Sequence, residues 1–385
     1  MVERLRVLVV SGSRADWGFL SEPVSLMRQD GFFEVSVVAT GQHLSAASGG
    51  SLEELTRDAG PVAAEVRIRA NTAHARDIVA ATSEALAGFG QVLADRRPDL
   101  MLLIGDRFEM FAAAAAGSLS RVPMAHLAGG DVSYGAVDDA LRHAITKLSH
   151  IHFPTNPEAA GRIVRMGEQP DRVHCVGSTG LDRLLKVRPM AREAFFSSIG
   201  HVPRKKNVLV TMHPVTLDRD PLADARVLLA ALAEVSKDIG LIMTGSNMDE
   251  GAREIDSMLQ AFAAAHVNAT YRQSLGSLLY VNALSHVDAV AGNSSSGLYE
   301  APSFGIPTLN VGGRQAGRLR PESVVDVAAD KAEIIEGLSG VLAMDCRNVG
   351  NPYGDGKASE RVVGILRQIE KPSILLKKEF YGGGQ

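Results

Sequence analysis

Cysteine is almost missing from this 385-residue sequence: there are 2, Cys175 and Cys346, far apart and in no C-x-x-C spacing. A disulfide framework is thereby excluded, nothing suggests a zinc site, and both read as buried fillers. An excess of either charge is missing too. Lys and Arg number 40 against 44 Asp and Glu, a net charge of −4 with both signs dispersed. That leaves no basic stripe for nucleic acid and no polybasic membrane anchor. No apolar run is long enough to span a membrane. The N-terminus enters a strand at once, Leu5 to Val10, with no signal peptide before it. There is no repeat shorter than a domain and no low-complexity tract. A cytoplasmic enzyme is the expectation these absences leave.

What is present is an ordinary globular composition, 45% hydrophobic and 22% charged. The length exceeds what one core usually serves, so two domains are expected. Val7 to Val10 is a continuous β-branched run, as a strand buried on both faces of a parallel sheet requires. It breaks at Ser11-Gly12-Ser13-Arg14-Ala15-Asp16 into a helix with Phe19, Leu20, Val24 and Met27 at helical spacing. Strand and helix then alternate: Val35 to Ala39, a helix near Ala73–Ala94, Leu102 to Ile104, and Met124 to Leu127. Gly41 to Pro61, rich in glycine and serine and containing His43, reads as a long loop, often a lid or binding loop. A further strand is expected near Val173. From Asn207 the alternation restarts, with helices near Leu222–Ser236 and Glu250–Ala264. The fold class is α/β: two Rossmann-like domains with a cleft between them. Residues 1–180 form the first and 181–355 the second, and a C-terminal helix within about 356–385 packs back onto the first.

Strand ends of an open α/β sheet are where ligands sit. Two of them deliver Asp106, Arg107, Glu109, His126, Asp131 and Asp138 to one neighbourhood. Ionisable groups crowded there are costly unless they do chemistry or bind charge. Arg142, His143 and Lys147 follow on the next helix. The plainer readings are an N-cap pair in Asp138-Asp139 and a solvated face in Arg142, His143 and Lys147. In the second half, Gly292-Asn293-Ser294-Ser295-Ser296-Gly297 follows a strand and Glu300 lies about one turn on. Hydroxyls and free N–H groups there suit a diphosphate, and Glu300 a ribose; a bare serine N-cap is the alternative. His213, at a strand end before Pro214, is a general acid, a phosphate partner or a half-buried structural histidine. Phe108, Phe111 and the alanines to Ala116 read as core, and Trp17 as packing.

Several motifs together resemble the hydrolysing UDP-N-acetylglucosamine 2-epimerases. They are Ser13-Arg14-Ala15-Asp16, Thr40-Gly41-Gln42-His43-Leu44, Gly105-Asp106-Arg107-Phe108-Glu109, and the Gly129-Gly130-Asp131 stretch. Asp138-Asp139-x-x-Arg142-His143-Ala144-Ile145-Thr146-Lys147, His213-Pro214-Val215-Thr216 and Gly292-Asn293-Ser294-Ser295 complete the set. The resemblance spans nearly the whole chain in order. It implies the GT-B fold and a sugar nucleotide in the cleft. It also implies no cofactor, neither metal nor nicotinamide, and a homodimer or homotetramer. The implied reaction removes the C2 proton as UDP leaves C1, giving a 2-acetamidoglucal. Water then adds, releasing UDP and free N-acetylmannosamine, a sialic acid precursor.

By that match Asp106 and Asp138 are the acid/base pair, with Asp131 and His213 as further catalytic candidates. Arg14, Asp16, His43, Arg107, Glu109, Arg142 and His143 are substrate-binding candidates in the first half. Asn247, Asn293, Ser294, Ser295, Ser296, Gly297, Glu300 and Arg314 are those in the second. Where many relatives carry Glu or His this chain has Ala128. Either Asp131 on the same turn supplies the missing carboxylate, the favoured reading, or the space admits a bulkier sugar. The family also acts on 2,4-diacetamido-2,4,6-trideoxy sugars in routes to legionaminic-type acids, and a GT-B glycosyltransferase is the rival enzyme class.

Overall fold

In the computed structural model, residues 4–45, 51–69, 74–134, 137–215, 219–234, 237–246 and 251–382 are described. The chain divides into two compact units, Met1–Arg183 with Tyr353–Gln385, and Leu184–Pro352.

The first unit runs β1 (Leu5–Ser11), α1 (Arg14–Gln29), β2 (Phe33–Thr40), α2 (Ser51–Ala59), β3 (Ala64–Val66) and α3 (Ala75–Arg96). It continues β4 (Leu100–Ile104), α4 (Phe108–Leu119), β5 (Met124–Leu127), α5 (Val137–Leu148), β6 (Ile151–Phe153), α6 (Pro157–Arg165) and α7 (Thr179–Lys186). Its sheet has the order β3-β2-β1-β4-β5-β6, and every pairing in it is parallel. Strand order therefore reverses between β1 and β4, the place where such sheets take ligands.

The second unit contains α8 (Arg192–Ser198), β7 (Lys206–Thr211), α9 (Ala223–Leu232), β8 (Ile239–Thr244), α10 (Ala252–Ala265) and β9 (Ala269–Arg272). Next come α11 (Gly276–His286), β10 (Ala289–Gly292), α12 (Ser296–Tyr299), β11 (Thr308–Val311), β12 (Val324–Val327) and α13 (Lys331–Val341). Its parallel sheet, β12-β11-β10-β7-β8-β9, repeats the same plan and reverses between β7 and β10. Both units are thus Rossmann-like, and the fold is of the GT-B class. The chain then returns to the first unit as α14 (Ala358–Leu366). There Val362, Val363 and Leu366 join the core cluster of Leu20, Val24 and Met27.

Three sequence expectations give way here. Gly41 to Pro61 is not one loop: a 3-10 turn at Gly41–Leu44 and the helix α2 lie within it. Leu55 and Ala59, four apart, bury on α1, and this spacing outweighs the flanking glycines. Near Val173 there is only an isolated bridge to His152. Cys175 is exposed, whereas Cys346 is buried. Among the described residues, no helix is long and apolar enough to cross a membrane.

Candidate active site

The first unit's site begins where β4 and β5 end. β4 is buried along its whole length, so the chain can become polar only beyond Ile104. Gly105, at a φ of 73°, turns it into Asp106-Arg107 and the start of α4. Neighbouring β5 ends in His126, which is fully buried. Its Nε2 lies 2.8 Å from the Gly105 carbonyl and its Nδ1 3.2 Å from Thr146 Oγ1. The carbonyl can only accept, so Nε2 carries the proton and Nδ1 accepts from the threonine. Burial pushes the imidazole pKa down to about 3. His126 is therefore a neutral strut under Asp106 and not a proton carrier.

Arg142 of α5 organises the cluster. Its guanidinium is almost wholly buried and ion-paired to Asp106. It also donates to Asp139 Oδ1 at 3.1 Å, Ser133 Oγ at 2.9 Å and the Asp131 carbonyl at 2.8 Å. Burial opposes this charge, and Asp106, then Asp131 and Asp139, more than offset it and hold the pKa above its ordinary value. Asp139 in turn accepts from the Ser133 backbone N–H at 2.6 Å and lies 3.6 Å from His143 Nε2. Asp138 sits at the more open edge of the same helix turn. Desolvation, then the nearby Asp106 charge, raise its carboxyl pKa above the usual range. The two carboxyls thus differ: Asp106 is ion-paired to Arg142, while the Asp138 pKa is shifted above its ordinary value.

The Asp131 carboxylate points elsewhere, accepting from Asn156 Nδ2 at 2.8 Å and Thr155 Oγ1 at 3.1 Å. Asn156 also caps α6, its Oδ1 accepting from Ala159 N at 2.9 Å. Sequence reasoning missed this pair, although Asn156-Pro157 is a helix-start signal that could have drawn attention to it. Ala128, on the same turn, is half-buried in left-handed backbone, φ 57°.

A second group lies at the end of β1. Ser13 caps α1 by accepting from Asp16 N at 3.2 Å. Asp16 folds back to accept from Gly12 N at 2.9 Å. Glu109, the second residue of α4, is fully buried and accepts from Arg107 Nε at 2.6 Å. Two further sequence candidates border this second group, and the His43 backbone N–H donates to the Gly12 carbonyl at 3.2 Å. His43 is enclosed, with Nε2 2.9 Å from Ser11 Oγ and Nδ1 2.7 Å from Ser51 Oγ. Its ring ties the 3-10 turn and α2 to β1. Arg14 is largely exposed and pairs with Glu54 at 2.6 Å.

In the second unit, Asn293 at the end of β10 clamps the end of β7. Its Oδ1 accepts from His213 N at 2.7 Å, and its Nδ2 donates to His213 O at 2.8 Å. Its own carbonyl accepts from Gln315 Nε2 at 2.8 Å and Arg314 at 3.2 Å. His213 Nδ1 lies 3.1 Å from Ser246 Oγ. Burial, then the Arg314 charge, push this histidine down to about 3, so it is neutral at working pH. Ser294 Oγ is 3.3 Å from Ser296 Oγ, which also receives the Tyr280 hydroxyl. Gly297 packs on Thr308, which donates to its carbonyl at 2.9 Å. Burial pushes the Glu300 carboxyl up to about 7. Asn247 and Thr216 lie outside the described residues.

A family model for UDP-N-acetylglucosamine 2-epimerase matches residues 26–367. The chain belongs to that family. It is 34% identical over 375 residues to the UDP-N,N′-diacetylbacillosamine 2-epimerase (hydrolyzing) of Legionella pneumophila, covering 97% of this chain and 98% of that one. Identity to the UDP-N-acetylglucosamine 2-epimerase of Neisseria meningitidis serogroup B is 27%, over 97% of this chain and 98% of that one. Among solved structures, the UDP-GlcNAc 2-epimerase from Neisseria meningitidis bound to UDP-GlcNAc superimposes with a TM-score of 0.73. That match is at 20% identity and covers 94% of this chain and 99% of the other. Membership makes the protein a sugar-nucleotide 2-epimerase in type. Asp106 and Arg142 meet in one ion pair with Asp138 nearby, and His213 and Asn293 meet where β7 and β10 end side by side.

Proposed function

We propose that the protein is a hydrolysing 2-epimerase of a UDP-linked 2-acetamido sugar. The observation that carries this reading is the pair of dissimilar carboxyls, Asp106 paired to Arg142 and Asp138 with a raised pKa, in a member of this family. Two carboxyls in unlike surroundings, one ion-paired and one raised above its ordinary range, divide the base and acid roles. Asp106 takes the C2 proton while the C1–O bond to UDP breaks, and its electrons leave with the diphosphate. The 2-acetamidoglucal then accepts a proton at C2 from Asp138 on the opposite face, water bonds to C1, and the proton water releases returns to the Asp138 carboxylate. UDP and a free 2-epimerised sugar result.

The second unit holds the nucleotide. Ser294, Ser295, Ser296 and Gly297 take the diphosphate with Arg314, and Glu300 takes the ribose. Neutral His213 donates a hydrogen bond to the departing phosphate, and Asn293 fixes its backbone. In the first unit Arg14, Asp16, Arg107, Glu109, His143 and His43 shape the sugar end. No metal or nicotinamide enters any step.

For the sugar, a 2,4-diacetamido-2,4,6-trideoxy hexose is favoured. The Asp131 carboxylate is engaged by Thr155 and Asn156, which argues against it replacing the acid missing at Ala128. The 34% identical relative bears the diacetylbacillosamine name. UDP-N-acetylglucosamine is the second reading, supported by the Neisseria relative.

Assay in deuterium oxide, with chelator and without added cofactor, tests the reaction. One deuterium at C2 of the released sugar is expected; its absence rules out elimination. Asp106→Asn should lower turnover ~100 to 10,000-fold, the usual contribution of a general base. Comparison of kcat/KM for the two sugar nucleotides decides the sugar. Near-equal values, or a preference for UDP-N-acetylglucosamine, would overturn the 4-acetamido assignment.

A further inference from the structure

Two carboxyl groups lie buried at the β1–β4 switch point beside a single cation. Glu109 is fully enclosed and Asp16 is 9% exposed. Both border Gly12 so closely that a methyl group there would be 2.9 Å from Glu109 Oε1 and 3.2 Å from Asp16 Oδ2. Arg107 neutralises one negative charge through Nε on Glu109 Oε1, 2.6 Å away. Asp16 has the Gly12 N–H and no cation of its own. Glu109 Oε2, buried, has no hydrogen-bond partner. Two buried acidic groups share one guanidinium, which also faces Asp138, so the cluster is short of positive charge, and such an imbalance is disfavoured away from water. One proton corrects the imbalance.

We propose that Asp16, beside the buried charge of Glu109, takes up one proton as the anionic sugar nucleotide binds. The trio with Arg107 is then neutral when the substrate's own charge arrives. Asp16 and Glu109 act through Arg107 as positioning residues and not on the reacting carbons. The inference rests on the reading that a sugar nucleotide meets the first unit's carboxylates.

The surroundings agree. Burial, then Glu109, push Asp16 up to about 6, against Arg107, the Gly12 N–H and Ser13. Several charged groups on and around α1 are already paired. Glu54 of α2 holds Arg14, Asp58 holds Arg183 and the Trp17 indole N–H, and Arg367 after α14 holds Asp30. Burial lowers the pKa of enclosed His43, which keeps it neutral. The sign follows. Below about pH 6 the proton is already in place. Above that pH a binding anion must bring it, so affinity falls towards a limit of about tenfold per pH unit.

The test uses the full chain. Carboxyl carbon NMR of the free protein should show a group titrating near pH 6, lost in Asp16→Asn and shifted down in Glu109→Gln. Titration calorimetry of UDP-N-acetylglucosamine with Asp106→Asn, in buffers of different ionisation enthalpy at pH 7.5, should show about one proton taken up. The diphosphate diester of this probe does not titrate there. Asp16→Asn in the same background should abolish the uptake. A free protein in which no carboxyl titrating above pH 5 is lost in Asp16→Asn overturns the proposal, whatever the nucleotide does. Uptake that persists in Asp16→Asn overturns it as well. Failure of the probe to bind counts instead against UDP-N-acetylglucosamine as the ligand, while the wild-type titration still decides the pair.

Discussion

Arg142 is the single side chain on which most of the first unit's site depends, since Asp106, Asp139, Ser133 and the Asp131 carbonyl all bond to it. Removing it strands buried acceptors and an unpaired carboxylate. Arg142→Ala should destabilise the first unit by about 3–5 kcal/mol, the cost of breaking a buried pair from one side. Urea unfolding measures it. Arg142→Lys keeps the charge but not the planar fork, so it should recover part of the stability and little of the turnover. Ala128 is the opposite case, a side chain that touches little in a backbone that suits glycine. At φ 57°, Ala128→Gly should gain about 0.5–1 kcal/mol in the same assay. His213 gives a pH prediction. Its folded pKa, about 3, lies below the unfolded value near 6.5. Its contribution is complete above about pH 6.5 and is lost as pH falls towards 3. His213→Asn should therefore make unfolding of the second unit less acid-sensitive across that window.

Elements place these residues by where strands stop. β7 and β10 end side by side, and Gly292 lets them do so. Its φ is 126°, and a Cβ there would lie 2.0 Å from the Thr211 carbonyl oxygen. Gly292→Ala should cost the second unit at least ~2 kcal/mol and weaken UDP binding, because Asn293 can no longer reach His213. Calorimetric UDP titration beside an unfolding curve separates the two effects. The strand ends were legible because buried parallel strands are continuous apolar runs that stop abruptly, as at Ile104 and Gly292. The short β3, β9 and β12 were not seen. Only 3 or 4 residues each, they are too short for periodicity to separate from loop. α2 was hidden by the glycines and serines before it, and only its packing against α1 marks it as a helix.

At the scale of the whole molecule, the first unit is completed by chain that arrives last. Val362, Val363, Leu366 and Leu375 are buried in its core cluster. Asp182 accepts from the backbone N–H groups of Ala358 and Ser359, at 3.1 and 2.5 Å. At about 1.5–3 kcal/mol for each buried apolar side chain, their loss matches the roughly 5–15 kcal/mol stability of a domain. Residues 1–183 expressed alone should not fold, and joining residues 353–385 to them should restore a cooperative transition by circular dichroism.

The sequence by itself determined the architecture and the family. Apolar runs ending in glycine and charge specify buried parallel strands, strand ends of such sheets are where polar groups gather, and the motif order identified the family. What only the tertiary structure decided is which polar groups face one another. Asp106, Asp131, Asp138 and Asp139 are four alike carboxylates in the sequence. In the fold one pairs with Arg142, one turns to Thr155 and Asn156, one is left with a raised pKa, and one fastens Ser133. His43 and His213 look equally available as letters, yet the first is locked between Ser11 and Ser51 and the second lies against Ser246 and Arg314. Several of these partners, such as Arg142 for Asp106 and Ser246 for His213, lie 36 and 33 positions away, and no local pattern in the chain carries that information.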